Sequence, residues 1–451
     1  MNTAAAPSLW KSFFLFLLPL LFTNILQSLS GTINAVFVGQ MLGVQAVAAV
    51  AVFFPILFFL LSFVIGLGAG ASVLIGQAWG AKKIDMVKQI TGNTLSMVMI
   101  LGVVIAALGA TFTPQILRLV GVPAEILPLS ISYVRLMLLG SPLLFLFIAY
   151  TSLMRGVRDS FTPMTAMLLA IGVGLITTPS LIRGWFGLPQ LGIDAPAVAT
   201  ILGFFIVLVY LVIYMRWRQH PLAVDAQLLR HMRIDVATSK QILRLGLPTA
   251  VQLVTSSASG IVIIGLVNHY GAHATAAYGA INQVMNYVQF PAMSIAIAAS
   301  IFAAQGIGAG KQATLNRVTR TALQMNLLFT GSLVAIAYLF SERLMALFIT
   351  DPAVVDLGQH LLHIVLWSVL LFGAGAVFSG IMRASGTVLV PMAISMGTIL
   401  LIELPSAILF SRLYGLEGIW VAYALSFSLM CVFQAAYYQL VWKKKTIVAL
   451  V

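Results

Sequence analysis

Charge is what this sequence has least of. Only 8% of its 451 residues are Asp, Glu, Lys or Arg, and just 11 are acidic. Soluble domains carry about 25% charged residues, so a water-soluble globular fold is excluded. The chain has one cysteine, Cys431, so no disulfide can close within it; the residue sits in an apolar run and reads as a packed thiol. Metal-ligand spacing is also missing: His360 and His363 share a helix face, but the only carboxylate near them in sequence is Asp356. The stretch Gly306–Lys311 imitates a phosphate loop but is one residue short between its outer glycines. Gln312 stands where Ser or Thr would hold magnesium. Gly66, Gly68 and Gly70 follow no strand and so form no dinucleotide fingerprint. With no nucleophile–base arrangement either, the chain reads as neither an enzyme nor a primary pump, and it calls for no cofactor and no metal.

What is present is apolar length. Hydrophobic residues make up 61% of the chain and the mean hydropathy is +1.06. Apolar stretches long enough to cross a bilayer, about 20 residues each, centre on 13–37, 51–75, 92–113, 127–152, 162–182 and 195–216, then on 243–267, 276–303, 321–341, 357–381, 388–411 and 418–441. Lys11 before Phe13–Phe22 resembles the start of a signal peptide, but no small-residue cleavage site follows and the apolar pattern runs on to Val38. That segment reads as the first of twelve spans in an all-α polytopic membrane protein.

Basic residues orient the spans. Of the 24 Lys and Arg, 19 fall at the termini or after even-numbered spans, among them Lys82, Lys83, Arg155, Arg233, Lys311, Arg383 and Lys443–Lys445. Only Arg118, Arg183, Arg343 and Arg412 lie on the other side, and Arg135 is inside span four. The positive-inside rule then places both termini in the cytoplasm. The net charge of +13 is accounted for by topology, without nucleic-acid binding.

The chain also contains itself twice. Gln77 in Ile75–Gly80 and Gln305 in Ala303–Gly308 stand 228 residues apart. The same offset links Gly43–Ala46 to Gly271–Ala274, Met154-Arg155 to Met382-Arg383, and Pro163-Met164 to Pro391-Met392. Near the end of each half it drifts to 223, where Gly192–Ala195 answers Gly415–Gly418. Six spans per half means that both halves enter the membrane the same way, so they are parallel repeats related by an axis along the membrane normal, with the substrate path between them. The expected organisation is two pseudo-twofold-related six-helix bundles: an N-lobe over 1–215, a cytoplasmic linker over 216–240 with a short helix near Ala226–Arg233, and a C-lobe over 241–451. Gly66 and Gly70 offer a small-xxx-small face for close helix packing. Pro19, Pro55, Pro142, Pro179, Pro248, Pro291 and Pro405 permit bends in the spans.

Charges at mid-membrane are costly and usually functional. Glu403 lies near the middle of span eleven and reads as a protonatable or cation-binding group, against the alternative of a structural carboxyl paired within the bundle. Arg135 reads as a snorkelling or carbonyl-satisfying residue. Asp194 and Glu417, repeat mates at the starts of spans six and twelve, suit the positive end of a helix dipole. Polar stripes recur at helical spacing: Gln252, Ser256 and Ser259 in span seven, Tyr278, Asn282 and Asn286 in span eight, and Gln27, Ser30 and Asn34 in span one. Such faces line a wet cavity or bond helix to helix; the first two are the expected substrate-cavity residues.

Each half resembles the multidrug and toxic compound extrusion (MATE) family. The resemblance rests on Val38-Gly39, Leu42-Gly43, Gly76-Gln77-Ala78-Trp79-Gly80, Gly140-Ser141-Pro142, Leu153–Pro163 and Leu191–Thr200, and spans nearly the whole chain. Arg135 ahead of Gly140 is similar to the DinF-type branch. The resemblance implies two six-helix lobes around a central cleft in the bacterial inner membrane. It also implies a monomer that exports amphipathic small molecules by alternating access, in exchange for protons or sodium. A lipid-linked saccharide flippase, or an exporter of one metabolite in the same superfamily, is the alternative. One departure matters: many relatives carry a coupling aspartate five residues before the Val-Gly glycine, where this chain has Asn34, and some carry a second before a proline, where it has Thr178 ahead of Pro179. Neither side chain titrates. Thr177-Thr178-Pro179 occupies the place in span five that Glu403-Leu404-Pro405 holds in span eleven, within two residues. The expected cation-coupling residues are therefore Glu403, with Asn34 and Thr178 as neutral ligands, and protons are favoured over sodium. Thr398 and Ser406 are the expected helpers on the helix of Glu403.

Overall fold

The computed structural model describes residues 8–451. Among them there are no strands, and every apolar stretch has become helix. Ten helices are long and apolar enough to cross a bilayer, and two bent pairs bring the number to twelve. We number them in chain order: α1 Leu9–Leu42, α2 Val44–Gly80, α3 Ile84–Leu119, α4 Leu127–Leu139 with Ser141–Gly156, α5 Phe161–Arg183, α6 Gly192–Trp217, α7 Val236–Asn268, α8 Ala272–Gly308, α9 Thr314–Leu339, α10 Pro352–Val365 with Ser368–Ala384, α11 Leu389–Tyr414 and α12 Leu416–Lys444. The halves of α4 meet at 50°, those of α10 at 42°. In α4 the break falls at Gly140, with Pro142 in the first turn of the second half, where a missing N–H costs nothing. In α10 no proline is present at the break; ahead of it the His363 carbonyl accepts from the Tyr338 hydroxyl at 2.8 Å.

The turns repeat as the sequence does. Gly43 and Gly271, repeat mates, precede α2 and α8 with nearly identical backbone angles, φ 87°, ψ −178° and φ 91°, ψ −179°. That region is open in practice to glycine alone. Left-handed mates also occur at Lys82 and Gly310, Arg158 and Gly386, and Gly192 and Gly415.

The chain divides into two compact units. One holds residues 22–79 and 83–250, so the start of α7 belongs with the first six spans. The other holds the start of α1 up to Leu21, the short turn Gly80–Lys82 and everything from Val251. In the first unit α5 packs along α6 and α3 along both halves of α4; in the second α11 packs along α12, and α8 along α10. Lipid is as apolar as leucine, so these contacts depend on close approach more than on hydrophobic burial. In the first unit, a Cβ on Gly66 would stand 2.6 Å from the Gly246 carbonyl, and one on Gly70 2.7 Å from that of Ile242. Those two glycines of α2 let the start of α7 lie directly on their backbone.

Around the starts of α3 and α7 and in the loops beside them, the first unit is tied by polar contacts. Asp225 caps the helix Ala226–His231 by accepting from Leu228 N at 2.8 Å, and it pairs with Lys88. Asn93 receives the Asp235 N–H at 2.9 Å and donates to Ser239 at 3.0 Å. In the loop after α4, Asp159 meets His220 at 3.2 Å and accepts the Thr162 N–H at 2.9 Å. Burial works to raise the Asp159 pKa, but hydrogen bonds from His220 and Thr162 prevail and hold it below the usual carboxylate range.

Candidate functional site

Glu403 closes a π-helical turn, Ile399–Glu403, in the middle of α11. The local cause is Pro405: it offers no N–H to the Leu401 carbonyl and its ring crowds that oxygen, so the helix widens just before it. The carboxylate is 5% exposed. Ser259 Oγ of α7 donates to Oε1 at 2.6 Å, and Ser426 Oγ of α12 donates to Oε2 at 3.1 Å. The Tyr423 hydroxyl, also from α12, lies within hydrogen-bonding reach of Tyr278 and within electrostatic reach of Glu403. No Lys, Arg or His among the described residues forms an ion pair with it.

The expected helpers on the same helix do something else. Thr398 Oγ1 donates to the Ile394 carbonyl at 2.7 Å, and Ser406 Oγ to the Ile402 carbonyl at 2.5 Å. Each hydroxyl satisfies its own helix four residues back, the default for Ser and Thr inside a span. The carboxylate is served by neighbouring helices instead. Sequence reasoning missed Ser426 and Tyr423, because isolated hydroxyls in a long apolar helix carry no periodic signal.

The expected substrate-cavity residues separate. Ser259 belongs to the carboxylate cluster, and Tyr278 is buried beside it with its ring 5.6 Å from that of Trp420. Gln252 and Asn282 are half-buried, while Ser256 and Asn286 are exposed. Exposure thus rises stepwise along α8 from Tyr278 through Asn282 to Asn286, whereas along α7 it does not: exposed Ser256 lies between buried Ser259 and half-buried Gln252.

In the first unit, Asn34 and Thr178 come together. With Ser30 and Thr200 they are the hydroxyl and amide groups of a cavity of about 80 Å³, otherwise walled by apolar side chains such as Phe37, Met167 and Phe204. A water in the liquid occupies about 30 Å³, so the space suits two or three waters or one small cation. Drug-sized ligands need roughly 300 Å³ or more. The cavity is an ion- or water-sized site, and it holds no charged group.

Asp194 takes the cap position of the α-helical part of α6, Ala195–Trp217, but its carboxylate accepts from Ser132 Oγ at 2.6 Å rather than from the helix backbone. Glu417, in the first turn of α12, faces His360 at 3.1 Å. Arg135 leaves its Nε without a hydrogen-bond partner. His360 and His363 do not converge on a third ligand; among the described residues no group of three could hold a metal.

The MatE family profile matches the chain twice, over residues 19–179 and 248–409, once in each half. The chain belongs to the MatE family. A Bacillus subtilis member, the probable multidrug resistance protein YoeA, is 44% identical over 447 residues, covering 99% of this chain and 96% of its own. The multidrug export protein MepA of Staphylococcus haemolyticus is 24% identical over 417 residues, 91% of this chain and 89% of its own. Among solved structures, a variant of the Vibrio cholerae MATE transporter VcmN superposes with a TM-score of 0.90 at 22% identity, covering 98% of both chains. That likeness speaks for the fold. The chain is thus a multi-pass membrane protein of the MatE family, with its duplicated six-span architecture.

Proposed function

We propose that this chain exports amphipathic small molecules from a bacterial cell by alternating access, driven by inward cation movement, with protons preferred over sodium. Residues 1–215 and 241–451 act as the two lobes, 216–240 as the linker, and both termini face the cytoplasm. The chemistry of the cargo is carried over from relatives named for multidrug resistance and export. The observation that carries the coupling reading is the setting of Glu403: a mid-span carboxyl with two hydroxyl partners and no basic one.

A carboxyl in that setting has two self-consistent states. Ionised, it accepts from Ser259 and Ser426; protonated, it donates to one of them, and that hydroxyl turns to accept. Each proton therefore reorders the bonds that join α7, α11 and α12. A change in bonding at a helix junction biases a two-state element when the states differ in it. The π turn at Ile399–Glu403 gives α11 a place to shift register. A proton needs one carboxyl oxygen, whereas sodium would draw on all four of the carboxylate and hydroxyl oxygens that meet here. Asn34 and Thr178, being neutral, ligate a cation or water in the first unit without titrating.

The test is export into or from proteoliposomes under an imposed pH gradient. Glu403→Gln keeps the shape and both hydroxyl contacts, and we expect it to lose pH-driven export while retaining the wild-type thermal stability and elution. Undiminished export by that variant sinks the assignment.

A further inference from the structure

A second cavity, of about 410 Å³, lies in the second unit between the start of α9, the second half of α10 and the end of α12, and nothing in the transport reading uses it. Its lining is divided. Arg320 of α9 and Lys443 of α12 supply its charge; Leu323 and Leu327, one and two turns beyond Arg320 along α9, and Phe378 of α10 supply its apolar wall. Arg320, Leu323, Gln324 and Leu327 follow the i, i+3, i+4, i+7 spacing of a single helix face. The floor is firm: the buried Tyr438 hydroxyl bonds Thr319 Oγ1 at 2.7 Å, and its ring packs on Phe378 and Trp442, each 5.0 Å away.

The charge around this cavity is of one sign. The chain has no acidic residue between 304 and 341 and none after Glu417, whereas Lys311, Arg317, Arg320 and Lys443–Lys445 all fall in those segments. Neither Arg320 nor Lys443 forms an ion pair among the described residues. Lys443 Nζ bonds only the neutral Gln439 side chain, at 2.9 Å, and lies 5.3 Å from the Tyr438 ring centre. Two cations without counter-ions thus adjoin an apolar trough that continues onto the surface of a membrane span, where Leu327 is 63% exposed. The site falls at the span ends where basic residues collect, the level of lipid headgroups.

We propose that this cavity binds an anionic phospholipid of the leaflet facing the basic span ends, the phosphate between Arg320 and Lys443 and an acyl chain along Leu323, Leu327 and Phe378. A phosphodiester supplies the missing negative charge, and its chain covers apolar surface that a free anion would leave bare. A neutral zwitterionic lipid fits the trough but leaves the two cations uncompensated.

Native mass spectrometry of the full chain, titrated separately with phosphatidylglycerol, phosphatidylcholine and inorganic phosphate, tests this. Each interfacial cation contributes about fivefold to binding of an anionic lipid, so a preference of about 30-fold for phosphatidylglycerol over phosphatidylcholine is expected from the pair. Arg320→Gln with Lys443→Gln removes that preference and leaves phosphatidylcholine binding as it was. Should the double variant fail to fold, Lys443→Gln alone, at an exposed position, lowers phosphatidylglycerol binding about fivefold. Equal binding of the two lipids by the wild type, an undiminished preference in either variant, or displacement of phosphatidylglycerol by millimolar inorganic phosphate each overturns the proposal.

Discussion

At the scale of single residues, the chain keeps one acidic side chain deep in a span and surrounds it with hydroxyls from other helices. Ser259 and Ser426 are worth more than their size, because a buried carboxylate that loses a donor costs about 1–3 kcal/mol. Ser259→Ala combined with Ser426→Ala is expected to cut pH-driven export at least tenfold while the protein still folds, and Ser259→Thr, which restores a hydroxyl, to recover most of it. Equal export by the alanine pair would show that the hydroxyls only fill space. Asp159 gives a prediction outside the membrane. Its folded-state pKa is depressed, so its contribution is present above the unfolded value near 4 and disappears as pH falls through the folded one. Asp159→Asn should therefore lower stability by about 1 kcal/mol at neutral pH. The gap between variant and wild type should close below about pH 4, as read by thermal unfolding across pH.

At the scale of elements, glycine placement governs how near helices come. Gly66 and Gly70 of α2 touch the backbone of α7 over residues 242–250 within the first unit. A side chain at Gly66 must displace a backbone carbonyl, and no rotamer relieves that. Gly66→Leu is expected to destabilise the protein by about 3 kcal/mol or more, since overpacking commonly costs 1–3 and a rigid neighbour puts it at the top of the range. The unfolding midpoint in detergent measures this; a shift of under a degree would mean that the helices part freely. Gly172, with nothing within 4 Å of an added Cβ, serves as the control. The bends differ: α4 breaks where Gly140 meets Pro142, whereas α10 breaks without a proline, just past a His363 carbonyl that bonds Tyr338.

At the scale of the whole molecule, the two halves share a scaffold and differ in chemistry. Their turns match even in backbone angle, at Gly43 and Gly271, yet the carboxylate sits in one half and the small neutral cavity in the other. Placing an acid in the neutral cavity tests whether the asymmetry matters. Asn34→Asp puts a titratable group beside Thr178, and in the Glu403→Gln background we expect it to restore a measurable fraction of pH-driven export. No recovery, with the double variant folded, would assign coupling to the second half alone.

The amino-acid sequence by itself determined the twelve spans, the duplication and the singular position of Glu403, because hydropathy, repeat offset and a lone charge are all local or periodic quantities. The family resemblance singled out Asn34 and Thr178, 144 residues apart, as the neutral residues at two coupling positions. Only the tertiary structure decided which hydroxyls meet the carboxylate. Thr398 and Ser406 were nearer in sequence but bond their own helix, while Ser259 and Ser426 reach Glu403 from other helices. It alone decided that the start of α7 packs with the first six spans and the start of α1 with the last six. The physical reason is the solvent: in lipid every apolar face is equally at ease, so hydropathy marks where a helix crosses but not which face it turns to its neighbours. That choice rests on small residues and single hydrogen bonds between distant segments, which become visible only when the helices are assembled.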